Sequence, residues 1–282
     1  MLRLICLVAA LMLAQSAWAQ PPDASVAALQ EQRLWDVLEL RALMPIIRDE
    51  ALDEAGAMEG MLFPPLAEGR WRKIVAQIHD PARMQRLFRQ GVRAALEQAP
   101  VPRVAMALDF YQTSQGSFLI GLELAGRRAM LVPDGDRLAR ETFSRAAGAD
   151  TPRVAQIRRL IEAAGLIEPN VAGGLNAALA FSRGFEAGGG YPAPVGEGQI
   201  LSDVWAQEPQ IRAETLEWME SYLFLAYTPL SDGQLEDYIR FSASPEGKAL
   251  SSVLFHGFDA LFEHTSYDLG LAAAGQLEGR DL

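Results

Sequence analysis

Cysteine is nearly absent. The 282 residues hold one, Cys6, so no disulfide can form within the chain, and thiol catalysis or a thiolate metal site has almost nothing to draw on. Cys6 sits in a short apolar run from Leu4 to Ala14. That run follows one basic residue, Arg3, and leads through Gln15-Ser16 to Ala17-Trp18-Ala19. This order reads as an export signal spanning residues 1–19 and cleaved after Ala19. The run is well short of the roughly 20 apolar residues that cross a bilayer as a helix, and Cys6 has no apolar region before it, as a lipoprotein signal requires. The expected mature chain is free of cysteine.

Other absences narrow the field further. No later stretch is long and apolar enough to span a membrane, although 50% of the residues are hydrophobic, so a globular chain with no transmembrane segment after cleavage is expected. Positive charge is in deficit: 25 Lys and Arg face 36 Asp and Glu, for a net charge of −11, and loss of Arg3 makes the mature chain one unit more acidic. That balance excludes nucleic acid as the expected partner, because phosphate is bound by Lys and Arg, and it gives no attraction to anionic lipid heads. The local basic stretches Arg70-Trp71-Arg72-Lys73 and Arg153 to Arg159 read as solvated helix faces. Histidine occurs three times, at His79, His256 and His264.

Runs that alternate with period two are scarce. Apolar residues instead recur at helical spacing, which predicts an all-α, multi-helix array. Leu34, Val37, Leu38, Leu43, Met44 and Ile47 line a first long segment interrupted at Pro45. Asp80-Pro81 supplies an N-cap and first helical residue for the segment bearing Met84, Leu87 and Phe88. Asp134-Gly135-Asp136 and Asp150-Thr151-Pro152 mark boundaries, and Gly165 stands where a helix carrying Ile157, Leu160 and Ile161 should end. Residues 184–198, with Gly188-Gly189-Gly190-Tyr191-Pro192, Pro194 and Gly196, have the composition of a surface loop. They divide an N-terminal half, 20–183, from a C-terminal half, 199–282.

The clearest pattern lies at about 231–264. Ser231, three residues before Gln234, forms a capping-box signature. Leu235, Tyr238 and Ile239 make a stripe, and Ser244-Pro245-Glu246-Gly247 ends one helix and caps the next. Leu250, Val253, Leu254, Gly257, Phe258, Leu261 and Phe262 then follow on one face. The result is a helical hairpin. A shift of 131 residues lays the segment 110–116, Phe110 to Gly116, over 241–247, Phe241 to Gly247. It also pairs Leu119 with Leu250 and Gly126 with Gly257. A second, related hairpin at about 100–131 is therefore expected, with the halves packed in a pseudo-twofold manner. In it Phe110 and Phe241 would close the hairpins, and Gly126 and Gly257 would admit neighbouring helices.

The segment from Leu230-Ser231-Asp232-Gly233-Gln234-Leu235 through Phe241 and Ser244-Pro245-Glu246-Gly247 to Leu250 resembles exported bacterial proteins carrying domain of unknown function 2059. The resemblance covers about residues 200–270. It includes Asp203-Val204-Trp205-Ala206-Gln207-Glu208-Pro209, and it is weaker over the first copy, where Ser114 replaces the turn proline. It implies a helical, exported protein with no established activity, and it supplies no catalytic residues or cofactor.

Searching for chemistry yields no assigned catalytic, cofactor-binding or metal-ligating residue. The Gly-x-Ser-x-Gly elbow of serine hydrolases is missing, and Gly247-Lys248 lacks the first glycine of a phosphate loop, Ser242 standing there. His256, Asp259 and Glu263 share roughly one helix face with His264 beside it, but no His-Glu-x-x-His spacing occurs, and a structural or solvated role is expected. Asp49-Glu50, Asp53-Glu54 and Glu214-Glu217-Glu220 read as exposed helix faces rather than a glycosidase pair. Trp205, Trp218, Tyr222 and Tyr227 suit either a core or a binding groove.

Three readings follow. The preferred one is a periplasmic, or further secreted, non-catalytic protein that binds a protein or lipid-like envelope partner through a groove between helical halves or an exposed helix face. The second is a carboxylate-dependent envelope hydrolase, acting for example on peptidoglycan. The third is a homo-oligomeric module joined through the seam of the C-terminal hairpin.

Overall fold

A computed structural model describes residues 24–62 and 69–277. The segment read as an export signal lies outside the described residues. Those described form thirteen α-helices and no strand, so the all-α expectation holds.

The helices begin and end largely where local chemistry dictates. Helices α1 (Ala24–Val37) and α2 (Leu40–Leu62) are separated at Glu39, which takes a left-handed φ of 50°. The sequence pattern placed that interruption at Pro45, which instead sits inside α2. Helix α3 (Arg70–Ile78) is followed by α4 (Pro81–Leu96), whose N-cap Asp80 accepts a hydrogen bond from the Arg83 amide at 2.8 Å. Then come α5 (Val101–Tyr111), α6 (Ser114–Leu131), α7 (Gly135–Gly148) and α8 (Pro152–Ala164). Gly165 closes α8 in the left-handed conformation, φ 62°, and the next amide, that of Leu166, bonds back to the Ile161 carbonyl at 3.1 Å, the backward bond of a helix C-terminus.

Helix α9 (Ile167–Ala187) corrects the expected loop, because Gly184 and the three residues after it are helical and only 188–196 are irregular before α10 (Glu197–Trp205). Glycine's helical penalty of about 1 kcal/mol is overridden here by packing. A Cβ on Gly184 would collide with the carbonyl oxygen of Tyr267, and one on Gly270 with that of Phe181. Two helices approach closely enough at this seam that only glycine fits on either side. The chain continues with α11 (Glu208–Ala226), α12 (Asp232–Ala243) and α13 (Pro245–Leu277).

At 33 residues α13 is about 50 Å long, given a rise of about 1.5 Å per residue, and it is the spine of the molecule. It runs along α9 and α4 and also touches α5, α12 and α3. The residues after the loop are thus packed mainly on those before it. One core joins α1, α2, α4, α5 and α13 around Trp35, Phe88 and Leu108. Another joins α6, α8, α11 and α12 around Leu119, Ile157, Leu223 and Leu235.

The two hairpin turns are built alike. Thr113 and Ser244 each accept a hydrogen bond from the glycine three residues on, Gly116 at 3.1 Å and Gly247 at 3.0 Å. Each also donates to a phenylalanine carbonyl three residues back, at 2.7 and 2.6 Å. Phe110 and Phe241 stack on one another with centroids 3.8 Å apart. Gly126 admits Tyr222 and Ala226 of α11, and Gly257 admits Phe88 and Val92 of α4. Beyond the turns the packing departs from a twofold arrangement: α5 lies along α13, whereas α12, which should then lie along α6, is packed on α8.

Candidate functional site

Between the two cores lies a cavity of about 480 Å³, walled by α2, α6, α9, α11 and α13. Leu43 and Ile47 of α2, Leu124 of α6, and Leu254 and Phe258 of α13 make its sides largely apolar. Gly173, Gly174 and Ala177 of α9 line another wall, where a Cβ on Gly173 would come within 3.1 Å of Asp259 Oδ1. A second cavity of about 470 Å³ abuts it, sharing Ile47, Ala177 and Phe262, and reaches Trp71 and His79.

One end of the first cavity is polar. The apolar run of α6 carries a single acid, Glu123, and places it among four tyrosines. Tyr227 donates to Glu123 Oε1 at 2.6 Å and Tyr238 to the same oxygen at 3.3 Å, while Tyr222 donates to the Glu123 carbonyl at 3.1 Å. The Tyr111 hydroxyl lies 3.1 Å from that of Tyr238. Glu123 Oε2 makes no hydrogen bond among the described residues. Burial pushes the Glu123 carboxyl above the usual range, and the bonds from Tyr227 and Tyr238 with the charge of Arg127 counter this only in part. Burial, reinforced by the Glu123 charge, also raises Tyr111, Tyr222 and Tyr227, so these phenols stay protonated and serve as donors.

Arg127, one turn along α6, is already engaged. Its Nη1 donates to both carboxylate oxygens of Glu50 at 2.9 Å, and its guanidinium lies over Trp218 and Tyr222, 5.4 and 5.7 Å from the ring centroids. Asp259 enters the cavity from α13 and forms no hydrogen bond or ion pair among the described residues. Burial raises its carboxyl, Glu263 adds to the rise, and His256 opposes it.

The four residues weighed on α13 are not brought together. Asp259 faces the cavity. Glu263 and His264 border a separate surface hollow with Arg183 and Asp268, and His256 is exposed, with Nδ1 2.8 Å from the Ser252 carbonyl. Among the described residues no group of three or more His, Cys, Asp or Glu is placed to hold a metal. His79 is buried, its Nδ1 3.0 Å from the Val75 carbonyl. Burial lowers its pKa, and nearby Arg83 lowers it further against the Val75 bond.

The acidic clusters disperse as well. Glu50 is tied to Arg127, Glu217 to Arg140 at 2.8 Å and Glu220 to Arg158 at 2.7 Å, while Glu214 accepts from Gln210. Within the stretch from Arg153 to Arg159, Arg153 donates to the Leu230 carbonyl and to Asp232, and Arg159 pairs with Glu236. Those three contacts pin α8 to the start of α12 and the residue pair before it. Of the aromatic candidates, Trp218, Tyr222 and Tyr227 line the cavity, and Trp205 stands 59% exposed at the end of α10.

The central acid was missed by sequence reasoning. Its signal was a lone Glu123 inside Phe118 to Ala125, one turn before Arg127, but partners from α5, α11 and α12 cannot be read locally. No family model matches the chain, and neither a curated protein nor a solved structure matches it.

Proposed function

We propose that this chain is an exported, non-catalytic binding protein whose inter-core cavity takes an elongated, predominantly apolar small ligand. The observation that carries the reading is the cavity itself. Its volume of about 480 Å³ falls within the roughly 300–1,000 Å³ of ligand pockets, and its apolar walls with one convergent polar cluster are the usual make-up of such sites. Export is supported by the charge, apolar run and small-residue pattern of residues 1–19, and by the hairpin's resemblance to exported bacterial proteins.

The hydrolase reading is weaker. Glu123 and Asp259 do line one cavity with an aromatic wall. Acid–base division of labour, however, needs two carboxyls whose environments push them apart, and burial pushes both of these upward. The oligomeric reading loses its motivating surface, because Leu250, Val253 and Leu261 of the hairpin seam are buried within the chain against α1, α4 and α5.

The test is binding of the neutral dye Nile red to the mature protein, followed by displacement with 1-decanol. Ala177→Phe and, separately, Leu43→Phe place a ring in the cavity. Each should cut dye binding at least about tenfold, the weight of a well-packed group of this size, with helicity by circular dichroism retained. Absence of binding to the unaltered chain, or equal binding to both folded variants, overturns the reading.

A further inference from the structure

The polar end of the cavity has an imbalance of charge that its own residues do not resolve. Glu123 and Arg127 of α6 face it, and Asp259 of α13 lines the same cavity. The one cation is spoken for. Both oxygens of Glu50 accept from Arg127 at 2.9 Å, and Trp218 and Tyr222 cover its face. Arg127 lends Glu123 its charge from a distance but no hydrogen bond. Glu123 meets phenols through Oε1 and leaves Oε2 unbonded, and Asp259 has neither a hydrogen bond nor an ion pair among the described residues. A carboxylate with no hydrogen-bonded cation in a largely apolar space is costly, and a ligand that brings such a cation relieves that cost on binding.

The surroundings select the same sign. Tyr238 bonds Glu123 and, with Tyr111 and Phe258, lines the cavity, and aromatic faces attract cations. An anionic head would meet the two carboxyls and find its only arginine already paired. We infer that the ligand is an amphiphile with a protonated amine head, seated at Glu123 Oε2, and an alkyl chain lying along Leu43, Leu124, Leu254 and Phe258. This inference rests on the cavity being the binding site and goes further in naming the head group. Burial raises the Glu123 and Asp259 carboxyls against the charges of Arg127 and His256, and a cationic head would oppose that rise.

The experiment is calorimetric titration of the mature chain with decylammonium, 1-decanol and decanoate, which share a chain length and differ in head charge. Decylammonium should bind at least about tenfold more tightly than 1-decanol, as a charge-assisted bond with a cation–π contribution warrants, and decanoate should bind most weakly. In Glu123→Gln, its fold checked by circular dichroism and urea midpoint, the ratio of decylammonium to decanol affinity should fall by about tenfold, and in Asp259→Asn by less. If decanol or decanoate binds as tightly as decylammonium, or the ratio survives in folded Glu123→Gln, the head-group inference is overturned while the cavity reading stands. If none of the three binds and Nile red also fails, both are overturned.

Discussion

Alanine in place of Gly184 should destabilise this protein, although the same change at an exposed helical glycine should stabilise it. A Cβ on Gly184 falls 2.9 Å from the carbonyl carbon of Tyr267 and 3.0 Å from the amide nitrogen of Leu271, and closer still to the Tyr267 oxygen. Ordinary contact lies at 3.4–4 Å. Every obstructing atom is backbone of α13, so no rotamer change makes room and α9 has to withdraw. Overpacking of this kind costs about 1–3 kcal/mol, against which alanine's helix propensity returns about 0.8–1 kcal/mol. The backbone obstruction points to the upper part of that range, for a net loss of about 1–2 kcal/mol. Gly121 in α6 is the control, since nothing lies within 4 Å of its would-be Cβ. There alanine should gain about 0.5–1 kcal/mol. Gly270→Ala obstructs the same seam from the other side, so the double variant should cost less than the two single losses added, the helices having already parted. Urea unfolding followed by circular dichroism measures the four variants against the unaltered chain. A Gly184→Ala variant as stable as the Gly121→Ala control would refute the close-packed seam.

Further predictions concern buried polar groups and caps. Glu123 has its carboxyl pKa raised in the fold, so its contribution to stability is full below the unfolded carboxyl range and lost as pH rises through the folded value. Glu123→Gln should therefore gain on the unaltered chain in urea midpoint between about pH 5 and pH 8, and a constant difference would count against the burial argument. Glu123→Leu should be the less stable replacement at either pH by about 1–3 kcal/mol, because it leaves Tyr227 without an acceptor whereas Gln retains one; equal midpoints would contradict this. His79 has its pKa lowered by burial, so its contribution is present above the unfolded histidine value and lost as pH falls through the folded one. His79→Gln should flatten the loss of stability between about pH 6.5 and pH 5, and an unchanged slope would exclude His79 as its source. Asp80→Ala and Ser231→Ala each remove a cap bond and should each cost about 1 kcal/mol in urea unfolding; a neutral result would mean that the cap is replaced by water.

What was legible in the chain was local. Asp80 before Pro81, Ser231 three residues before Gln234, and Gly165 after an apolar stripe are interactions of neighbours, and each stands where its chemistry put it. The misplaced boundaries are those decided at a distance. Gly184 looked like the start of a loop because glycine weakens a helix, and the carbonyl of Tyr267, 83 positions away by number, is what makes glycine the residue that fits. At Pro45 the missing amide signalled an interruption, but the chain turned earlier, at Glu39, and Pro45 was carried into α2.

The candidate site shows the same division, with one exception in the similarity of the two hairpin segments. At the shift of 131 residues Glu123, Leu124 and Arg127 of α6 fall on Leu254, Phe255 and Phe258 of α13, and all six line the one cavity. Corresponding positions on the second helices of the two hairpins thus supply two of its walls, one polar and one apolar. The stacked Phe110 and Phe241 hold the two turns together, which places the starts of α6 and α13 near each other and sends both helices past the same space. The unlike composition at matching positions makes that space amphipathic. A carboxyl on the α6 wall could be kept only because Tyr227 and Tyr238 arrive from the far side to bond it. Periodicity alone gives Glu123 the look of a surface residue on an amphipathic helix. Its burial comes from the pairing of the hairpins, and its polarity stands where the matching position of the other hairpin is Leu254.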